Sequence, residues 1–232
     1  HSQDIEQQTV FLDLPRFSLN MTTLNPFDSK DRAGEQKWYQ RLSVGYSMQG
    51  SNSINTKEYD LFKKESLKDF RNGIQHDIPI SLSLNILKYF QFNSGMQYSE
   101  KWYLQTIRKR LDPVASGFAP VTDTIQGFSR VYDYNLNTGL ATKLYGKFNF
   151  KKGNLIALRH VMTPSVNFNY RPDFGADRYG YFRNLQGDTS RVSTRYSIYD
   201  NAVFGSPSAG RVAGIGFSFD NNIEAKVKST AD

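Results

Sequence analysis

The amino-acid sequence predicts an all-β protein, an antiparallel transmembrane β-barrel of the outer-membrane type, present as a partial barrel of about seven strands. Three observations predict it. Apolar and polar residues alternate in register over runs of about ten to twenty positions. Aromatic content is high, with 17 Phe and 14 Tyr in 232 residues, while mean hydropathy is only −0.57. Short turns alternate with long polar connections, as in barrels with one short-turn rim and one long-loop rim.

The alternation has period two, which sets successive side chains on opposite faces of a strand. In RLSVGYSMQ, Leu42, Val44, Tyr46 and Met48 point one way, and Arg41, Ser43, Gly45, Ser47 and Gln49 the other. In IPISLSLN, Ile78, Ile80, Leu82 and Leu84 oppose Pro79, Ser81 and Ser83. A turn at Asn85 and Ile86 leads to KYFQFNSGMQYSEKWYLQ, with Phe90, Phe92, Met96, Tyr98, Trp102 and Leu104 on one face. In YDYNLNTGLATKLYGKFNF, Tyr132, Tyr134, Leu136, Leu140, Leu144 and Phe148 oppose Asp133, Asn135, Asn137, Gly139, Lys143, Lys147 and Asn149. Further strands are expected at Arg16–Leu24, Met162–Tyr170 and Ala213–Val227, with Asn221 falling on the apolar face of the last. A soluble β-sandwich shares the alternation, but its strands are typically about five or six residues. The runs here exceed the roughly 9–11 residues that cross a bilayer.

Residues 1–232 read as a single barrel segment. Residues 85–87 and 151–156 are expected short turns, and about 50–72, 106–127 and 173–208 long outer loops. Thr23–Lys37 is a longer connection on the short-turn side. Leu61, Phe62, Leu67 and Phe70 are spaced for a short amphipathic helix within Glu58–Phe70. Aromatics near strand ends (Trp38, Tyr39, Tyr98, Trp102, Tyr103, Tyr132, Tyr134, Phe148, Phe150) fit interfacial belts.

Other classes are excluded. No apolar run approaches the roughly 18 residues of a transmembrane helix, and the longest is Leu155–Leu158. There is no Cys, hence no disulfide framework and no thiolate metal site. The polar start HSQDIEQQ lacks a signal peptide and reads as a mature or internal piece. The net charge of +7 is spread along the chain, without a basic helical face, so nucleic acid is not the expected partner. No enzyme is expected: His160, Ser165 and Asp173 lie near one another in sequence without a nucleophile elbow. No metal or cofactor is expected, since Asp220, Asn222 and Glu224 do not match a calcium-loop spacing. Gly45, Gly95, Gly139, Gly214 and Gly216 fall on polar strand faces, and Pro15, Pro79 and Pro164 each remove a ladder donor.

LRHVMTPSVNFNYRPDFG at 158–175 resembles a stretch of the LptD family in which a TP-x-V strand leads into a Y-x-P segment, above all in its Bacteroidota branch. YDNAVFGSPSAGRVAGIGFSFDNNIEAKVK at 199–228 is similar to the family's next strand, and LPRFSLNMTTLNPF at 14–27 to an earlier one. The resemblance implies an outer-membrane translocon of a Gram-negative bacterium that assembles lipopolysaccharide at the cell surface. It also implies an LptE-like plug lipoprotein, periplasmic bridge proteins, a periplasmic jellyroll and a lateral gate. About seven strands stand here against a family barrel of about 26. With no jellyroll, and with KVKSTAD lacking a terminal aromatic, a middle fragment is expected, and no gate residue maps onto this sequence.

Candidate lumen-facing residues are Arg41, Gln49, Asn93, Gln97, Asn135, Asn137, Lys143, Lys147, Lys226 and Lys228. The basic ones suit an anionic glycolipid or a plug protein, although for each residue taken singly a solvated lumen position with no specific ligand is the simpler reading. The alternatives are a porin or substrate-receptor barrel, and a secreted carbohydrate-binding β-sandwich.

Overall fold

Period-two patterning produces one large antiparallel sheet. The structure, a computed structural model, describes every residue except 1, 5–7, 30, 32–33, 61–62, 64–69, 112–119, 186–193 and 229–232. Its strands are β1 (Ser2–Asp4), β2 (Thr9–Asp13), β3 (Phe17–Leu24), β4 (Leu42–Lys57), β5 (Arg71–Ile86), β6 (Phe90–Leu111), β7 (Pro120–Thr142), β8 (Leu144–Asn149), β9 (Leu155–Arg171), β10 (Phe182–Leu185), β11 (Thr194–Ser197) and β12 (Val212–Val227). The large sheet runs β1-β2-β4-β5-β6-β7-β9-β12, with β3 also on β4 and β8 also on β9, while β10 and β11 pair separately.

Two pairs of strands are single lines with a break. β2 and β3 both run along β4, parted near Pro15, which has no N–H to give. β7 and β8 both run along β9 in one register, parted at Lys143. The crossings are therefore β2/β3, β4, β5, β6, β7/β8, β9 and β12, each neighbour joined to the next in sequence order. The sheet is not closed, because its first and last lines do not pair with each other. β7 has 23 residues, ~76 Å at about 3.3 Å per residue, against a hydrocarbon core of about 30 Å.

Ladder partners share a face, so register extends each strand's alternation across the sheet. Val44, Ile80, Met96 and Leu136 form one apolar rung, continued by Tyr170 and Ala213. Leu140, Val166 and Phe217 form another. At the long-connection end this face carries Tyr46, Tyr98, Trp102 and Tyr132. It also carries charge: Glu100 accepts bonds from Tyr98 Oη and Trp102 Nε1, each at 2.6 Å, and pairs with Arg130 at 2.7 Å. His76 lies beside Trp102 at 4.3 Å between ring centroids and bonds Tyr46 Oη at 2.9 Å. Asn221, the irregularity expected on β12, accommodates here by bonding His160 Nε2 at 3.0 Å.

Several boundaries differ from the sequence expectation. Strands continue into the expected loops, through Lys57 and from Arg71, and through Leu111 and from Pro120. Cross-strand pairing there outlasts the clean apolar alternation. β9 likewise starts at Leu155, ahead of the expected Met162. The β5–β6 turn lies at 87–89, past Asn85 and Ile86, with Leu87 and Lys88 at φ 51° and 65°. Neither is a customary left-handed residue, so the expected turn falls two residues early. Arg41 is not a strand residue. It ends a 3-10 turn, Trp38–Arg41, in which the Lys37 N–H donates to Gln40 Oε1 at 2.7 Å. Of the helix expected within Glu58–Phe70, Glu58–Asp60 form a 3-10 turn, and most of the remaining segment lies outside the described residues. No helix among the described residues is long and apolar enough to cross a membrane.

The β9–β12 connection is not a simple polar loop. It contains a 3-10 turn (Asp177–Tyr179) and the β10–β11 hairpin, and folds back on the sheet. Its Phe174, Tyr181 and Tyr199 are buried in one cluster with Tyr103 of β6 and Val131 of β7. Tyr103 and Val131 have polar-face parity, so the connection forms a roof over one end of that face.

Candidate functional site

The polar face is built in rungs. Ser43, Ser81, Gly95, Asn137, Asn169 and Gly214 lie in one line across β4, β5, β6, β7, β9 and β12. Ser83, Asn93, Gly139, Asn167 and Gly216 form the next. Pro79, Gln97 and Asn135 flank the first, and Ala141, Ser165 and Ser218 flank the second. Glycine and asparagine alternate for a steric reason. A Cβ on Gly95 would sit 2.5 Å from Asn137 Oδ1, and one on Gly139 would sit 2.5 Å from Asn167 Oδ1. The carboxamides therefore lie over the neighbouring glycines. Ser43 and Ser81, Ser83 and Asn93, and Ser165 and Ser218 are each hydrogen-bonded at 2.6 Å. The result is a band of hydroxyls and carboxamides without a formal charge.

Charge lies on either side of this band. Toward the roof, Gln75 Nε2 donates to both carboxylate oxygens of Asp77, at 2.9 and 3.1 Å. Lys101 approaches Asp133 at 3.7 Å. Toward the short-turn end, Lys147, Arg159 and Glu224 share a rung, with Arg159 and Glu224 3.4 Å apart. The Arg159 guanidinium lies over the Tyr145 ring at 5.9 Å. Lys226 is one rung beyond, beside Ala157. The Lys228 N–H donates to the Asn154 carbonyl at 2.8 Å, just past β12. Lys143 lines a cleft of about 270 Å³ with Asn85, Lys88, Gln91 and Tyr145.

The expected residues thus fall into groups. Asn93, Gln97, Asn135 and Asn137 come together in the neutral band. Lys143, Lys147, Lys226 and Lys228 gather at the short-turn end. Gln49 stands apart from both, in a cleft of about 460 Å³ between β3, β4 and the roof residues Val203 and Phe204. Arg41 belongs to the turn before β4. Sequence reasoning missed Asn167 and Asn169, although the alternation in VNFNY carried the signal. It also missed Arg159 and the Asp77, Lys101 and Asp133 group. His160 and Ser165 differ in parity along β9 and bond on opposite faces, to Asn221 and Ser218, so they form no catalytic pair. Glu224 is engaged by Arg159 and accepts from Asn222 at 3.2 Å.

The roof is pinned to backbone that no neighbouring strand covers. β7 pairs with β9 only as far as Leu136–Tyr170. Above that rung the Tyr132 N–H donates to Tyr181 Oη at 3.2 Å, and Tyr199 Oη bonds Ser129 Oγ at 2.7 Å. On the opposite edge of β6, the Ile107 N–H donates to the Ile198 carbonyl and the Lys109 N–H to Tyr196 Oη. Tyr103 Oη donates to the Gly205 carbonyl at 2.8 Å. Burial pushes the Tyr181 hydroxyl up to about 12 and raises that of Tyr199. Asp173 closes the ends of the roof: its Oδ1 accepts from Gly210 N–H at 2.7 Å and Gly175 N–H at 2.8 Å, which hold its carboxyl below the usual range.

No curated protein and no solved structure matches the chain. A family model described as LptD protein matches residues 1–232. The chain therefore belongs to the LptD family, outer-membrane proteins of Gram-negative bacteria that serve lipopolysaccharide transport and assembly.

Proposed function

We propose that this chain forms part of the wall of a lipopolysaccharide translocon barrel, with its polar face toward the lumen and its apolar face toward lipid. The carrying observation is the continuity of the polar face from β4 to β12, neutral in the middle and charged on both sides. A neutral floor of hydroxyls and carboxamides can exchange hydrogen bonds with saccharide hydroxyls. The short-turn lysines supply cations for the phosphate or carboxylate groups of an anionic glycolipid. In this reading Asn93, Gln97, Asn135 and Asn137 line the saccharide's path. Lys143, Lys147, Lys226 and Lys228 sit on its periplasmic side, where bridge proteins and an LptE-like plug lipoprotein are the partners. Both sheet edges then join further strands, since open edges do not persist in lipid.

Replacing Lys143 and Lys147 together by alanine, in cells that depend on the altered protein, should slow surface display of lipopolysaccharide. Unchanged display removes both residues from the mechanism. Solute uptake that fails on depletion while lipopolysaccharide display stays normal supports the porin reading instead.

A further inference from the structure

β7 and β9 pair from Ala141–Ser165 to Leu136–Tyr170 and then part. The next rung would set Asn135 against Arg171, and it is not formed. Arg171 remains paired on its other side, with Val212. The parting opens a wedge of about 290 Å³ between β7 and β9, lined by Asn135, Asn137, Asn169, Arg171 and Val212, with Leu136 and Tyr170 of the last formed rung beside them. The three asparagines, Arg171 and Val212 have polar-face parity, and Leu136 and Tyr170 belong to the apolar rung.

Arg171 makes no ion pair among the described residues. Its Nη2 donates only a long 3.4 Å bond to the Gly210 carbonyl, and its buried Nε has no acceptor. The nearest acids in sequence and across β7 make their bonds elsewhere, although the charge of Arg171 acts on Asp133. Asp133 meets Lys101, and Asp173 accepts two backbone N–H groups. A buried donor without a partner is unfavourable, so the Nε of this guanidinium is left for an acceptor that none of the described residues supplies.

We infer that the wedge is a subsite for one acidic sugar residue, its carboxylate or phosphate on Arg171 and its hydroxyls on Asn137, Asn169 and Asn135. This rests on the translocon reading for its physiological ligand. A guanidinium matches a carboxylate or phosphate with two parallel bonds. Carboxamides offer both donors and acceptors, as ring hydroxyls require. An apolar ligand would bury these groups unpaired. A bare anion would leave the three carboxamides unused. The volume lies at the small end of ligand pockets, which run from about 300 Å³, and suits a single ring.

The test is binding of glucuronic acid, glucose 6-phosphate and glucose to the protein purified in detergent micelles, read by saturation-transfer NMR. At least one acidic sugar should bind about tenfold more tightly than glucose, and which one does identifies the anion. Arg171→Gln should abolish the preference, and Arg171→Lys should retain part of it. Asn137→Ala with Asn169→Ala should weaken all the sugars that bind. Heat-modifiable gel migration checks that each variant is folded. Equal binding of the three sugars, binding of none, or an unchanged preference in Arg171→Gln overturns the subsite. These readouts do not involve lipopolysaccharide display, so the subsite and the translocon reading fail separately.

Discussion

Tyr181 Oη accepts the backbone N–H of Tyr132 at 3.2 Å, on the stretch of β7 that β9 leaves unpaired. A side chain from the roof thus does what a neighbouring strand does lower down. Tyr181→Phe removes the acceptor and keeps the ring, leaving a backbone donor unsatisfied at a cost of about 1–3 kcal/mol. Hydrogen exchange across 172–185 and at Tyr132 should quicken. Unchanged exchange would mean that ring packing alone holds the roof.

The same residue sets an alkaline limit. Its hydroxyl is raised from 10.0 to about 12, mainly by burial. A group whose folded value is raised contributes stability that is complete below its unfolded value and is lost as pH rises through the folded one. The roof should hold up to about pH 10 and release between there and about pH 12. An alkaline titration of phenolate absorbance, followed beside proteolysis of the connection, reads this directly. Tyrosines that all titrate together near 10 would contradict it.

Asp173 sets the acid limit. Its value is lowered by the N–H groups of Gly210 and Gly175, so its contribution is present above the ordinary carboxylate range and lost as pH falls. Proteolysis within 172–211 should rise in acid, and Asp173→Asn should show the raised rate already at neutral pH. A variant as resistant as the parent at neutral pH would remove Asp173 from the closure.

Gly73 lies beneath the roof. A Cβ there would meet Val203 Cγ2 at 2.7 Å and Tyr103 Cε1 at 3.0 Å. Gly73→Ala should loosen the roof by about 1–3 kcal/mol, as overpacking does. Gly95→Ala should be milder, because the atom it meets ends a flexible side chain. Thermal unfolding of the two variants should rank them in that order.

Face assignment was readable in the sequence because period two is local: Val44, Leu82, Met96, Leu136 and Ile215 each declare their side within their own strand. The neutral asparagine band could be read in the same way. The roof could not. It depends on Tyr103 and Val131, apolar residues on a polar face, meeting Phe174, Tyr181 and Tyr199 from a distant connection. The wedge was hidden for a related reason, since Asn135 and Arg171 oppose each other only once β7–β9 register is known. Glu100 and Arg130 ran against the apolar pattern because the surrounding Tyr98 and Trp102 donors compensate them.

The chain has no cysteine, which permits the most direct test of the central claim, that the two faces meet different solvents. Single cysteines placed at Asn137, Asn167 and Asn169 should react with a water-soluble maleimide in intact outer membranes. Cysteines at Leu136, Val166 and Phe217 should resist it and, once labelled in detergent and returned to lipid, be quenched by a lipid-borne quencher. Equal reactivity of the two sets, or the reverse pattern, would contradict the assignment of the polar face to the lumen.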